Sequence, residues 1–514
     1  MIVRKLSLLK IKNSRPVMTP LKNAPGKPFS PAEKKSKNNI SLTFVFVFDK
    51  IGLKMKKPLF SALISLIGLL TVISLVRSVQ SFTKPDIFQF LDRTIPNQYI
   101  VVYKDSVKDT DSVTNELEKL FNLQSQFRFN KILKGYTATF TPDKLEKIKT
   151  DPRVAFVTED REITIAQWWK RKKTPIPTRT PTRTPTPIQS PSSTPTPTLN
   201  QSPSATPTVG ASNQTIPTGV SRIGLTATNE GAAIGVAILD TGIDLDHPDL
   251  SGNIVADKSC ISGASRGDDD HGHGTHVAGT VAALNNSFGV IGVAPQAKLI
   301  AVKVLNRYGS GSYSTIICGL DWIAQNSSNY NIKVANMSLG GGGSSDGNCG
   351  NSNNDAFHLA VCRARDAGIT VAVAAGNSNA NAANSVPAAY DDAVITVSAL
   401  ADSDGQPGGL GPNTSYGADD TFASFSNYGN VVDLGGPGVN ILSTLRGGGY
   451  GTMSGTSMAS PHVAGAAALY LKINPGAKWN EVRDGLISLG ESLNLGHTDP
   501  SGLHPEKVVK TNSL

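Results

Sequence analysis

Cysteine is nearly absent: the 514 residues hold four, Cys260, Cys318, Cys349 and Cys362. No two of them have the C-x-x-C spacing of a zinc ribbon or a dithiol redox motif, so neither chemistry is expected. No H-E-x-x-H occurs, which removes the zinc hydrolase pattern carried on one helix. Aromatic residues make up only 6%, and no basic, aromatic-interleaved face marks a nucleic-acid binder. Acidic residues are scarce at the front, where residues 1–57 hold 14 Lys/Arg against 2 Asp/Glu and residues 170–183 hold 6 basic and no acidic residues. Residues 184–514 hold 15 basic against 25 acidic, a balance of −10. The formal +9 of the whole chain therefore belongs to segments that read as targeting and linker sequence, and no nucleic-acid partner is expected.

The chain is too long for one ordinary core and implies two folded domains with connecting material. "MKKPLFSALISLIGLLTVISLV", from Met55 to Val76, sets a short basic start before a long apolar run, the order of a secretory signal. A membrane anchor is the other reading, since the run reaches the lower limit of a span. If Met55 is the true start, residues 1–54 are a mis-annotated extension and 55–80 the signal or anchor; the rest is exported in either case. In an exported chain four cysteines favour two disulfides, with three connectivities open. Cys349 with Cys362, across an Asn/Gly-rich loop, is preferred, which leaves Cys260 with Cys318; a catalytic thiol is the alternative.

Residues 85–166 read as a small α+β domain. "QYIVVY", "GYTATFT" and "VAFVTED" are its strands, and "DSVTNELEKLF" and "PDKLEKIKTDP" its helices. About 70 residues make only a marginal core alone. Residues 167–212 are a Thr/Pro-rich linker that cannot bury a core and is extended or O-glycosylated. From 213 to 514 short β-branched runs alternate with helical stretches. "IGVAILD", "AKLIAVKVL", "IKVANMSLG", "ITVAVAAGN" and "AVITVSAL" are nearly all apolar, the mark of a mostly parallel sheet flanked by helices on both faces. In such an α/β sheet ligands sit beyond the carboxyl ends of strands, which directs attention to Asp240, Asn377 and the segment from Ser338 to Gly340.

Three separated stretches combine there: "VAILD" ends with Asp240, "DDDHGHGTHVAGT" opens a helix near His273, and "GTSMASPHVAG" opens another near Ser457. Ser457 alone reads as a helix N-cap, with Pro461 tolerated in the first turn. A serine hydroxyl becomes a nucleophile when an imidazole accepts its proton and a buried carboxylate holds that imidazole in one tautomer. Ser457, His273 and Asp240 supply those groups, and Asn377 supplies an amide for the developing oxyanion. Asp244 and Asp246 fall in the turn after Asp240 and are expected to be solvated or metal-bound. His271 and His276 flank His273, and the Asp/His cluster also admits a metal-ligand reading.

In these residues the chain resembles the subtilisin-like serine proteases, in the order Asp, His, Ser. The resemblance covers about residues 214–490, and residues 96–166 resemble the family's inhibitory propeptide. It implies a subtilisin-like fold and a self-processing serine endopeptidase in which His273 is the base and His276 a packed neighbour. Polypeptide substrates are implied to lie as an added strand between Gly309-Ser310-Gly311 and Ser338-Leu339-Gly340, with Ala374 and Gly376 walling the primary pocket. Ser378 and Ser385 point to a shallow pocket for small or medium apolar side chains. A structural calcium ion is implied at Gln214, Asp249, Leu284, Asn286, Phe288 and Val290. The domain's own propeptide is the implied intramolecular inhibitor, cut near Ala166 or Gln167, and the enzyme is expected to be a secreted monomer. A membrane-tethered processing protease and a catalytically silent protein-binding domain of the same fold are the alternatives.

Overall fold

The computed structural model describes residues 93–165, 214–225 and 228–514. The expected signal or anchor, the Thr/Pro linker and the cut near Ala166 or Gln167 lie outside the described residues. The small domain runs β1 (Thr94–Tyr103), α1 (Thr110–Phe121), β2 (Ser125–Phe129), β3 (Gly135–Thr139), α2 (Pro142–Lys149) and β4 (Val154–Ile165). Only β2 is not anticipated; its five residues alternate too briefly to stand out.

The large domain begins with α3 (Thr218–Ile223), β5 (Gly235–Asp240), β6 (Ile254–Ser259), α4 (His273–Ala282), β7 (Lys298–Lys303), β8 (Ser310–Ser312) and α5 (Tyr313–Asn326). It continues through β9 (Ile332–Met337), β10 (Leu339–Gly342), α6 (Ala356–Asp366), β11 (Thr370–Ala374), β12 (Ser385–Val386), β13 (Ile395–Ala401) and β14 (Thr421–Phe422). It closes with β15 (Leu434–Pro437), β16 (Ile441–Leu445), β17 (Gly449–Met453), α7 (Thr456–Ile473), α8 (Trp479–Leu489) and β18 (Lys507–Val508).

The main sheet has the order β18-β15-β13-β11-β9-β5-β7-β6, all parallel, with β14 antiparallel on β13. Its strands are apolar on both faces because both faces are covered. Val236 and Ile238 of β5 pack with Val277 of α4 and Val463 of α7. Ala237 and Leu239 pack on the other side with Ile316 of α5 and Ala360 of α6. That alternation is the period of two of a pleated strand. The sequence "IKVANMSLG", expected as one strand, is broken at Ser338 into β9 and β10. Both disulfides pair as expected, Cys349 with Cys362 and Cys260 with Cys318.

The two domains belong to one compact unit, Phe88–Leu514, and β1 shows how they join. Tyr99, Val101 and Tyr103 face Leu117 of α1 and Ile148 of α2, the small domain's own core. Ile100 and Val102 face the other way and share a core with Tyr313, Ile316 and Ile317 of α5. Burial at roughly 25 cal/mol per Å² of apolar surface thus comes from two directions, which offsets the thin core that so short a domain builds alone. Polar contacts fix the register of docking. Asp321 of α5 accepts the N–H groups of Lys131 and Ile132, each at 2.8 Å. Asp160 of β4 accepts the Ser314 N–H at 3.1 Å at the start of α5; burial pushes its carboxyl upward, against hydrogen bonds from Ser314 and Gln98. Among the described residues no helix is long and apolar enough to cross a membrane.

Candidate active site

Asp240 is the last residue of β5 and is fully buried. Its carboxylate accepts the Thr241 N–H at 2.7 Å and lies 2.8 and 3.0 Å from His273 Nδ1. A carboxylate at that distance holds the proton on Nδ1 and leaves Nε2 as the basic nitrogen. Nε2 is buried and has no hydrogen-bond partner among the described residues. His273 is the first residue of α4. The end of that helix is held by Asp269, whose carboxylate accepts the N–H groups of His271, Gly272 and Thr275 and the hydroxyls of Thr241 and Thr275. Burial pushes Asp269 up, yet those hydrogen bonds bring it below the usual carboxylate range. Asp269 thus sets the position of His273 without touching it, a role that the acidic run "DDD" does not reveal.

The other histidines separate by burial. His276 is fully buried with Nε2 2.9 Å from the Ile441 carbonyl, and burial pushes it down to about 3. His271 is half-buried and burial lowers it, with the neighbouring His273 acting in the same direction. Asp244 faces outward and accepts the Gly447 N–H at 2.7 Å. None of these three meets Asp240 in a hydrogen bond given by the structure.

Ser457 is the second residue of α7, so the N-cap reading is corrected: the cap position is Gly455, which has no side chain to cap the helix. A Cβ at Gly455 would lie 3.1 Å from Asn377 Nδ2, so this approach favours glycine. Pro461 likewise lies inside the helix rather than in its first turn. Proline has no N–H to give the carbonyl four residues earlier, and that carbonyl, of Ser457, instead accepts the Ser338 hydroxyl at 2.8 Å. The Ser457 hydroxyl donates to the Ser338 carbonyl at 3.3 Å. This reciprocal pair ties the break between β9 and β10 to the first turn of α7. Asn377 follows β11, and its Oδ1 accepts both the N–H and the hydroxyl of Thr456 at 2.8 Å. Its Nδ2 is thereby turned away from Thr456. Asn427, unmarked by any local pattern, braces this loop by accepting from Ser378 and Ala380 and donating to the Ala375 carbonyl.

The glycine-rich stretches are strands. Gly311 sits in β8, where a Cβ would come within 2.3 Å of the Val304 carbonyl. The end of β4 lies between β8 and β10, antiparallel to both, with Thr164 opposite Ser310 on one side and Gly340 on the other. Ile163 pairs with Gly311 and Ile165 with Leu339, and the Ile165 N–H donates to Gly309 at 2.9 Å. The small domain's own tail is therefore held by backbone hydrogen bonds in the groove formed by β8 and β10. Ala374 ends β11, and the Gly376 N–H donates to the Thr456 hydroxyl at 3.1 Å; Ser385 opens β12 within 3.4 Å of Asn427 Nδ2.

In the loop after α4, three oxygens converge on one point. Leu284 O, Val290 O and Asn286 Oδ1 lie 2.6, 3.1 and 3.2 Å from Gln214 Nε2. Asp249 braces the same loop by accepting from Asn286 Nδ2 and the Val290 N–H. The N–H donor stands at the focus of these oxygens, where a cation would find oxygen partners. Phe288 donates its N–H to Asn286 Oδ1 at 2.9 Å.

An accessory domain whose tail fills a strand-shaped groove beside a buried Asp–His pair and a serine defines a class: a serine endopeptidase made with its own tethered inhibitor. The subtilase family is matched over residues 231–497 and the peptidase inhibitor I9 family over residues 98–166. The chain is 36% identical over 414 residues to subtilisin E of Bacillus subtilis (strain 168), covering 78% of this chain and 87% of that one. It is 37% identical over 456 residues to an alkaline protease of Shouchella clausii, covering 87% and 98%, and 42% identical over 294 residues to subtilisin Savinase of Lederbergia lenta, covering 56% and 97%. The chain belongs to the subtilase family. It is a serine endopeptidase acting on polypeptides, and its I9 domain is an intramolecular inhibitor.

Proposed function

We propose that Ser457, His273 and Asp240 form the catalytic triad of an exported, self-processing endopeptidase, with Asn377 as oxyanion donor. The observation that carries this is the 2.8 Å contact between Asp240 and His273 Nδ1, which leaves Nε2 free to take a proton. In the reaction the Ser457 hydroxyl turns from the Ser338 carbonyl, attacks the scissile carbonyl and passes its proton to Nε2. The oxygen of the tetrahedral intermediate is met by Asn377 Nδ2, which Thr456 orients. His273 then gives the proton to the leaving amine, and water hydrolyses the acyl-enzyme by the same route in reverse roles. Substrates bind as the tail does, as a strand between β8 and β10; Ser385, where the family has a smaller residue, makes the primary pocket shallower, and Ser378 brings no carboxylate for a basic side chain, so small or medium apolar side chains are favoured.

Ala166 and Gln167 directly follow the tail that occupies this groove, which supports self-cleavage there. The apolar run after Met55 supports export, with residues 55–80 as signal or anchor, 85–166 as propeptide, 167–212 as linker and 213–514 as the catalytic domain, working as a monomer.

Casein hydrolysis by the processed chain tests this reading, set against Asn377→Ala. Removing one oxyanion donor lowers kcat by about 10²–10³, with KM and the melting temperature near wild type. An unchanged kcat removes Asn377 from the mechanism, and no hydrolysis by the wild type removes the reading as a whole.

The oxygen donors around Gln214 suit a hard cation that accepts irregular geometry. Gln214, Asp249, Leu284, Asn286 and Val290 would hold calcium there, with Phe288 as the sixth ligand by family pattern. The ion would contribute stability and no chemistry. A ligand at one hundred times its Kd stabilises by about 2.7 kcal/mol, so Asp249→Asn should lower the melting temperature in calcium by about 4 °C. Wild-type melting of Asp249→Asn in calcium contradicts the assignment.

A further inference from the structure

The loop that leaves β13 and runs to β14 carries carboxylates that neither the triad nor the Gln214 loop uses. Asp402, Asp404 and Asp419 each place one carboxylate oxygen so that all three lie within 4.8 Å of one another. The decisive member is Asp402. It is 2% exposed, and its Oδ2 is buried with no hydrogen-bond partner among the described residues. Its Oδ1 accepts the Gly405 N–H at 3.1 Å and stays 3.9 Å from Arg222 Nε.

Arg222 reaches that charge only at 3.9 Å, because its closer bonds go elsewhere: Nε donates to Asp420 at 2.6 Å and the guanidinium to Glu491 at 2.7 Å. A buried carboxylate oxygen without a donor is costly, and a second acidic neighbour adds repulsion. Asp419 is also buried, with Oδ1 accepting from the N–H and hydroxyl of Ser403 and Oδ2 from the Gly411 N–H. Asp404 is exposed and accepts the Gln406 N–H at 2.9 Å. Neutral donors hold these groups in place but bring no positive charge to them.

We propose that Asp402, Asp404 and Asp419 bind a second divalent cation of the calcium type, separate from the Gln214 loop. The donors are all oxygen, which selects a hard ion over zinc or copper. Three carboxylates of unequal exposure on one irregular loop suit calcium, which takes 6–8 oxygens flexibly, better than magnesium, which demands a near-ideal octahedron. The other cluster of metal-ligand types, Cys349, His358, Cys362 and Asp392, is already committed, since its cysteines are joined and His358 Nε2 bonds Asp392 at 2.6 Å.

The place of the ion gives it a structural consequence. A Cβ at Gly405 would lie 3.1 Å from the Thr218 carbonyl and 3.2 Å from Ser221 Cβ, so this loop packs on α3, the first helix after the linker. Downstream the loop leads through β14 to Asn427, which braces the segment bearing Asn377. A cation here would pin the start of the catalytic domain and the wall of the primary pocket from one point.

The test is equilibrium dialysis with calcium alone, on the full chain with Ser457→Ala to prevent self-digestion. Asp404→Asn, a change at an exposed residue, should lose one bound ion or weaken one at least tenfold. Asp249→Asn should lose a different one, and the double variant both. Asp402→Asn should match Asp404→Asn if it folds. Full stoichiometry and affinity in Asp404→Asn overturns the proposal. Loss in Asp404→Asn beside full binding in Asp249→Asn supports this site and removes the Gln214 one.

Discussion

Replacing Ser457 by alanine is expected to lower casein hydrolysis by roughly six orders of magnitude, the loss measured for subtilisin itself when its serine is removed, and to leave the chain at precursor length. In the proposed mechanism the two results share one cause, since the same hydroxyl would attack a substrate and the chain's own tail. The fold should survive. Ser457 is 2% exposed within α7 and gives up one 3.3 Å hydrogen bond to Ser338, while alanine is the better helix former by up to ~0.7 kcal/mol. The Ser338 hydroxyl keeps its bond to the main-chain carbonyl at position 457. An unchanged melting temperature beside an uncut chain is therefore the expected pair of observations, and processing at the wild-type rate would place the cut with another agent.

Asp240→Asn should cost about 10⁴ in kcat with little change in KM. Asparagine keeps the shape and, with its amide oxygen at the Oδ1 position, the acceptor for the Thr241 N–H, so packing at the end of β5 is preserved. What changes is the group facing His273 Nδ1 at 2.8 Å. An amide N–H turned toward Nδ1 drives the ring proton to Nε2, the nitrogen that must be basic. An amide oxygen turned there restores the tautomer but brings no negative charge to steady the imidazolium. Either orientation raises the barrier without loosening substrate, which on the proposed binding mode is held through backbone hydrogen bonds in the groove that β4 occupies between β8 and β10. A loss below tenfold would mean that the pair is structural.

The residues proposed to do the chemistry are more legible in the sequence than the contacts that aim them. Asp240 closes an apolar run that could only be a buried strand, and the motif around His273 and Ser457 repeats a family pattern, so both could be read locally. The tail of β4 could not. "VAFVTED" reads as a strand to residue 160, but the strand continues to Ile165 because β8 and β10 flank it there. Those partners lie some 150–180 positions away and consist of Ser, Gly and a single Leu, with no β propensity to announce them. Thr456 and Asn427 are illegible for the same reason, since each acts through hydrogen bonds to segments distant in the chain; Asp269 bonds mostly to its own neighbours, but the run "DDD" does not show which of its carboxylates turns back onto the helix start. Ser457 resembled a cap because Ser-rich helix starts usually are caps. Glycine took that position, and Pro461 left the carbonyl that Ser338 fills. The disulfides were legible once export was assumed, by proximity for Cys349 with Cys362 and by remainder for Cys260 with Cys318.

The most direct measurement is peptide mapping by mass spectrometry after titrating the processed enzyme with a serine-directed fluorophosphonate. A nucleophile at Ser457 predicts one adduct per chain, on the peptide bearing "GTSMASP", rising in proportion to the activity lost. Complete inactivation with Ser457 unmodified, or full modification of Ser457 with activity intact, would contradict it.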